Sequence, residues 1–253
     1  MTGPLHWSTL RNMAESPAHC KHYMTHRTKP TPAMLFGTLV HFHCFGPGPY
    51  GAPVVYEETK TRSGKKWDAF KAAHTKRDIV TRDEWDRAKE CAEAVRADPV
   101  AGALLKVGKP EWTLEWMIGN RACRGTPDRH DDAMLIDLKV SGVVNPSRFT
   151  GPYGHARKQG WHGQMAWYND AIGTNPMTYI IAVSPKPPFC PTVYELTDAD
   201  LDSGRKFYRA LLERFNACDE SNQWPGYTQS ILTLDVQDDD LTLVIDGQEE
   251  QVA

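Results

Sequence analysis

Asp128 and the triplet Asp137-Leu138-Lys139 stand on either side of a short polar turn, and this pairing constrains the chain more than any other feature. Arg121 to Arg129 and Met134 to Val140 read as two strands joined by His130-Asp131-Asp132-Ala133. A turn centred on Asp131-Asp132 sets Asp128 opposite Leu135 and makes Asp137 its diagonal neighbour, about 7–8 Å away between Cα atoms. Strand alternation then places Asp128, Asp137 and Lys139 on one face, and Ile136, Leu138 and Val140 on the other. A register slip of one residue would separate the acids.

Carboxylate oxygens are hard ligands suited to Mg²⁺ or Mn²⁺. A divalent ion held by two acids lowers the pKa of its bound water and offsets the charge of a phosphate under attack. A lysine beside the acids adds a compact cation that orients or deprotonates that water. The pattern therefore suits metal-dependent phosphodiester hydrolysis. The same residues also fit an exposed hairpin with an ordinary Asp-Lys ion pair, which is worth little. Taken alone, the spacing does not choose between the two.

Composition sets the frame without selecting the chemistry. At 253 residues and 40% hydrophobic content, the chain can bury one substantial core and needs no second domain. No apolar run approaches the roughly 18 residues of a membrane span, and Met1 to Leu10 lacks a signal peptide's apolar segment. The six cysteines are scattered, with no Cys-x-x-Cys pair, so neither a disulfide framework nor an iron–sulfur cluster is expected. The expectation is an intracellular, cytoplasmic protein. Net charge is −3, but from Phe215 onward there are nine acids and no lysine or arginine. Residues 1–214 therefore carry 29 basic against 23 acidic side chains, a net of +6. The body is thus mildly basic and the tail strongly acidic, the tail being a solubilising segment, a dock for a basic partner or a screen over a basic channel.

The elements read as one α/β unit over residues 1–234, with an acidic tail or short hairpin over 235–253. A first helix is expected near Ser8 and a second after Pro32, then a Gly/Pro loop from Gly46 to Pro53. Thr81-Arg82-Asp83-Glu84 is a capping box, and Asp98-Pro99 ends or interrupts the helix it opens. Strands follow at Trp112–Ile118 and in the hairpin. One helix is expected from His155 to Ile172, with Trp161, Met165, Tyr168 and Ile172 as its apolar stripe. Strands at Tyr179–Val183 and Thr192–Leu196 and a helix from Asp198 complete the order.

Several further motifs occur in sequence along the chain: Ser16-Pro17-Ala18-His19, Gly37-x-x-x-His41, Arg62-Ser63-Gly64-Lys65, Glu111 in Glu111-Trp112-Thr113-Leu114-Glu115-Trp116, Gly125-x-Pro127-Asp128, Asp137-x-Lys139, Gln164-x-x-x-Tyr168 and Trp224-Pro225-Gly226-Tyr227. Together they resemble the PD-(D/E)xK nuclease superfamily, and within it the C-terminal nuclease domain of exonuclease VIII (RecE), with lambda exonuclease more distant. Val140 departs from the threonine usual after Asp-x-Lys, and Val143 to Gly160 is only loosely matched.

The resemblance implies a restriction-endonuclease-like α/β core, a mixed central sheet flanked by helices. It implies a Mg²⁺ site, with Mn²⁺ able to substitute, built from His41, Glu111, Asp128, Asp137 and the Leu138 carbonyl. The catalytic set is Asp128, Asp137, Lys139, Glu111 and Gln164, with DNA contacts at Arg62, Lys65 and Tyr168. Glu115 shares a strand face with Glu111 by parity and is an alternative to it; Tyr168 is equally readable as a core residue. The implied activity is a 5′→3′ exonuclease acting on double-stranded DNA ends and leaving single strands for recombination. A homo-oligomeric ring and a single-strand annealing partner are implied with it. The alternatives are another nuclease of the superfamily, a catalytically silent DNA-binding protein on the same fold, and a zinc module at His19, Cys20, His22 and His26 or at His41, His43 and Cys44.

Overall fold

The computed structural model describes residues 3–26, 30–47, 51–57, 62–75, 77–228 and 231, and the backbone of 242–245 and 248–251. The chain opens with β1 (Leu5–His6), α1 (Trp7–Leu10), a 3-10 turn and α2 (Pro17–Thr25). Ser16 starts α2 by accepting the His19 amide at its hydroxyl, with Pro17 in the first turn where no amide is needed. Helix α3 (Pro32–Phe45) is capped in the same way by Thr31. Next come β2 (Val54–Tyr56), α4 (Lys65–Ala73) and β3 (Ile79–Thr81). The expected capping box opens α5 (Arg82–Ala97): Thr81 and Glu84 each bond the other's backbone amide. Asp98 ends that helix, and its carboxylate caps α6 (Pro99–Leu104).

Five short strands follow: β4 (Lys109–Pro110), β5 (Leu114–Ile118), β6 (Arg121–Gly125), β7 (Arg129–His130) and β8 (Met134–Val140). Helices α7 (Pro146–Phe149), α8 (His155–Lys158) and α9 (Trp161–Ile172) lead to β9 (Met177–Val183), β10 (Thr192–Leu196) and α10 (Asp198–Ser221). The acidic tail expected from Asp235 lies largely outside the described residues; within it, β11 (Thr242–Ile245) and β12 (Gln248–Gln251) pair antiparallel.

The main sheet is mixed, in the order β10-β9-β8-β7-β4, with β8 and β9 parallel and the other pairs antiparallel. A second sheet has the order β1-β6-β5. Three expectations change here. The strand read from Arg121 to Arg129 is two strands in two sheets, β6 and β7, with a break at Thr126–Asp128. Pro127 has no amide to donate to a ladder and keeps Thr126 extended, which suits a crossing from one sheet to the next. The helix read from His155 to Ile172 breaks at Gly160, where φ is +72°. Strand β1 was not expected at all: two residues long, it is held by parallel pairing to Cys123 and Arg124.

Two apolar layers enclose the main sheet. On one face Ile136, Leu138, Ile181 and Val183 meet α3, α5 and α6 through residues such as Leu39, Ala92 and Ala101. On the other, Leu135, Ile180 and Ala182 meet α9, α10 and the N-terminal segment. Helices α9 and α10 cross closely because Gly204 has no side chain: a Cβ there would sit 2.3 Å from the His162 carbonyl oxygen. The two ends of the described body also meet. The Ala18 amide donates to the Pro225 carbonyl, and Tyr227 packs against His19.

Trp167 is fully buried at the centre of the second layer, edge-on to Trp116 and Tyr208, and its indole N–H has no hydrogen-bond partner. Its contribution is therefore packing alone. Trp167→Ala is expected to cost about 3–5 kcal/mol and Trp167→Phe considerably less. Denaturant midpoints of the two variants measure the difference; equal losses would mean that the site collapses around the alanine cavity.

Candidate active site

Strand β8 carries the site. Its even positions point into the α3/α5 layer, which leaves Asp137 and Lys139 on the face toward α9. The β7–β8 register pairs Arg129 with Ile136 and His130 with Leu135, so the turn centres on Asp132-Ala133 rather than on Asp131-Asp132. The turn centre moves by one residue and each pairing partner by two, which preserves parity. Asp128 now stands one step beyond the last pair, facing Asp137 directly instead of diagonally. Its Oδ2 accepts the Leu138 amide at 2.6 Å, so the carboxylate takes the ladder position that the end of β7 leaves open.

The opposite side of the cluster comes from α3. His41 Nδ1 lies 3.2 Å from Asp128 Oδ1, and its Nε2 donates to the Leu138 carbonyl at 2.9 Å. With an acceptor at each nitrogen, the ring is best satisfied as an imidazolium. Burial pushes its pKa down, but the charge and hydrogen bond of Asp128, with the charge of Asp137, outweigh that and raise it. Asp128, 8% exposed, is pushed up by burial; the charge and hydrogen bond of His41, the Lys139 charge and the Leu138 amide outweigh this and hold it below the ordinary carboxylate range.

Asp137 behaves oppositely. It is 3% exposed, and burial together with the charge of Asp128 holds its pKa above normal despite Lys139. Lys139 Nζ lies 2.5 Å from Asp137 Oδ2, but in a geometry that leaves this buried oxygen without a well-aligned hydrogen bond. The ammonium instead donates to Gln164 Oε1 at 2.9 Å, and Gln164 Nε2 donates to the Tyr168 hydroxyl at 3.3 Å. The Trp161 ring lies 5.8 Å from the same ammonium. Opposed shifts on neighbouring carboxylates, one of which keeps an unsatisfied oxygen, are a common mark of functional sites.

Glu111 joins the cluster from a different backbone state than expected. It is not on a strand but just after β4, at φ +46°, with its amide bonded to the Asp128 carbonyl at 2.8 Å. Burial and the Asp128 charge raise its pKa, while His41 lowers it. Glu115, the alternative, is an exposed β5 residue 3.6 Å from Arg124. Parity could not separate the two acids because Glu111 lies outside β5.

Tyr168, expected as a DNA contact, is 6% exposed, with its ring over Gly125 and its hydroxyl on Gln164. It stands buried behind Gln164, away from the surface. Arg62 is exposed and tied to Glu84 and the Ile79 carbonyl, next to the small β2–β3 sheet. Lys65 is exposed in the first turn of α4. No contact joins either one to the acids among the described residues. Neither zinc alternative forms a ligand cluster among the described residues. Cys20 is fully buried with its thiol on the Thr9 carbonyl, whereas His22 and His26 stack on each other at the exposed face of α2.

Asp128, Asp137, the Leu138 carbonyl and Glu111 offer hard oxygen donors, a set that suits Mg²⁺ or Mn²⁺, with His41 beside them, both of its nitrogens engaged by Asp128 and the Leu138 carbonyl. Among the described residues no three His, Cys, Asp or Glu side chains form a ready-made metal cage. The carboxylates are neutralised instead by His41 and Lys139, and the unsatisfied Asp137 oxygen is the place where a further cation is wanted.

The fold resembles the crystal structure of a protein from Eubacterium rectale described as a "putative exonuclease", with a TM-score of 0.67 and 14% identity over 96% of this chain and 94% of that one. At this identity the likeness is one of fold. No curated protein matches the chain significantly. Among the described residues no helix is long and apolar enough to cross a membrane. Residues 7–235 match the model of a PDDEXK-like domain of unknown function, DUF3799, a span that includes Pro127-Asp128 and Asp137-x-Lys139. The chain therefore belongs to the PDDEXK-like family DUF3799, within the PD-(D/E)xK nuclease superfamily.

Proposed function

We propose that the protein is a Mg²⁺-dependent deoxyribonuclease that degrades one strand of duplex DNA from an end, in the 5′→3′ direction, to leave single-stranded DNA for recombination. The observation that carries the nuclease reading is the set of direct contacts His41–Asp128, Asp128–Leu138 amide and Asp137–Lys139–Gln164, which gathers two buried acids and a lysine at β8. Exonuclease action, polarity, a ring-shaped oligomer and a single-strand annealing partner rest on the motif resemblance to the exonuclease VIII domain. The absence of a membrane-spanning helix among the described residues is compatible with a cytoplasmic enzyme.

In this reading Asp128, Asp137 and the Leu138 carbonyl hold the ion, with His41 and Glu111 beside them. The bound ion supplies an acidified water and neutralises charge on the phosphate. Lys139 does the proton work. Held between Asp137 and Gln164, its Nζ is fixed where it can orient a water and offset the charge that develops on the phosphate. Gln164, set in turn by Tyr168, fixes the direction of that ammonium. The buried layers behind β8 keep the acids out of bulk water, which strengthens each of these interactions.

The test is digestion of a linear duplex labelled at the 5′ or the 3′ end, alongside a closed circle. Early release of the 5′ label in Mg²⁺, with the circle intact, is the expected result. A cut circle would make the enzyme an endonuclease, and early release of the 3′ label would reverse the polarity.

A further inference from the structure

The segment joining the two contributors Lys139 and Gln164 has a property of its own. From Lys139 to Asn169 there is no Asp or Glu, while Arg148, Arg157, Lys158, His155 and His162 all fall within it. This segment folds around a pocket of about 450 Å³ lined by Arg148, His155, Lys158, Ser147, Thr150 and Tyr153, among others. Arg157 is tied to Ser203, whereas Arg148 and Lys158 make no ion pair among the described residues. Tyr153 is 84% exposed at the rim.

The pocket is fixed to the acidic cluster. Phe149, 1% exposed, stacks on Tyr194 at 4.2 Å and packs against Trp161 at 5.5 Å. The Tyr194 hydroxyl donates to the Val144 carbonyl at 2.6 Å, which pins the start of the segment. Trp161 bridges the two sites, with His155 at 5.3 Å on one side and the Lys139 ammonium at 5.8 Å on the other. The cations converge: burial lowers the His155 pKa, and Arg148 and Lys158 lower it further. Two unpaired cations facing one acid-free cavity leave a positive field with no internal counter-charge.

We propose that this pocket seats a phosphate group of the nucleic-acid strand as it runs past Lys139, with Arg148 and Lys158 as its ligands and Tyr153 as a stacking surface for the adjacent base. The proposal deepens the nuclease reading and rests on it. Arg148 suits a phosphate through its planar donor fork, and Lys158 adds a point charge. Because the pocket lies beside the acidic cluster and does not overlap it, its contribution is to binding and register, separable from the metal.

The test measures binding of the full chain to a fluorescent duplex by anisotropy in EDTA, over a series of salt concentrations. Wild type is compared with Arg148→Gln, Lys158→Gln and a charge control, Lys206→Gln, on the exposed side of α10. Arg148→Gln and Lys158→Gln should each weaken binding and reduce the slope of log K against log salt by about one, with unchanged melting temperature. Lys206→Gln should leave the slope alone. Duplexes with a 5′-phosphate and with a 5′-hydroxyl separate the sources: the same loss on both means an internal phosphodiester, and loss on the phosphorylated duplex alone means a terminal phosphate. Pocket variants with the control's slope would overturn the proposal while leaving a cleaving wild type as a nuclease. A wild type that neither binds nor cleaves would remove both readings.

Discussion

Lys139→Ala is expected to abolish DNA cleavage while leaving a folded protein that still binds DNA. The lysine contacts both Asp137 and Gln164, so its loss removes the cation that lies against Asp137. Removing a single preorganised electrostatic group typically costs on the order of 10²–10³-fold in turnover, and a proton-handling residue costs at least as much. The fold is protected by the site's own electrostatics. An unpaired buried carboxylate would ordinarily cost about 3–5 kcal/mol. Asp137, however, already has a raised pKa and can take up a proton when its partner is lost. The measurement is kcat against the DNA dissociation constant in EDTA: kcat should collapse while the dissociation constant moves little. A variant with near-normal kcat would remove Lys139 from the reaction.

Gly125→Ala carries the second large effect, and it acts through packing. The Gly125 backbone is ordinary, but an added Cβ would lie 2.3 Å from Tyr168 Cε1 and 2.9 Å from Cδ1. Those ring atoms cannot retreat without moving the hydroxyl that bonds Gln164, and Gln164 in turn holds Lys139. Overpacking of this kind costs about 1–3 kcal/mol. A displacement near 1 Å in a catalytic array can cost about 10²-fold in rate. The expectation is thus a modest fall in melting temperature with a disproportionate fall in kcat. Tyr168→Phe separates the two components, since it keeps the ring on Gly125 and removes only the hydroxyl; it should melt close to wild type and lose part of the rate. If Gly125→Ala lost stability but no activity, the Tyr168–Gln164–Lys139 relay would not be a positioning device.

Local signals made much of this legible in the sequence. The alternation of Asp137 and Lys139 with Ile136 and Leu138 gave the correct faces because parity survived a one-residue shift of the turn, which moves each pairing partner by two. The capping box at Thr81–Glu84 is satisfied within four residues, so it is readable without a fold. His41 lies far from Asp128 along the chain, and it was reached through motif order and not through periodicity, since nothing local says which face of α3 meets β8. The failures share a cause. Strand β1 has two residues and exists only because β6 lies beside it. The break between β6 and β7 follows from their belonging to different sheets, which no single-strand pattern encodes. Glu111 sits at a positive φ, a state that sequence does not announce for glutamate. Tyr168 lies on an apolar stripe yet turns a hydroxyl toward the site, so a periodic pattern could not separate its core role from a functional one. The acid-free run from Lys139 to Asn169 was readable from composition, but only the pocket gives it a location.

The central claim is that Asp128 and Asp137 form a metal-dependent nuclease centre. Its most direct test is the cleavage rate of a linear duplex, titrated with Mg²⁺ from an EDTA-stripped start, for wild type and for Asp128→Asn. Asparagine keeps the side chain's shape and an oxygen for the Leu138 amide, and removes the charge. Wild type should be silent in EDTA and recover activity saturably with Mg²⁺, while Asp128→Asn stays inactive or needs far more metal. Cleavage that persists in EDTA, or an Asp128→Asn protein with the wild-type Mg²⁺ response, would contradict the account.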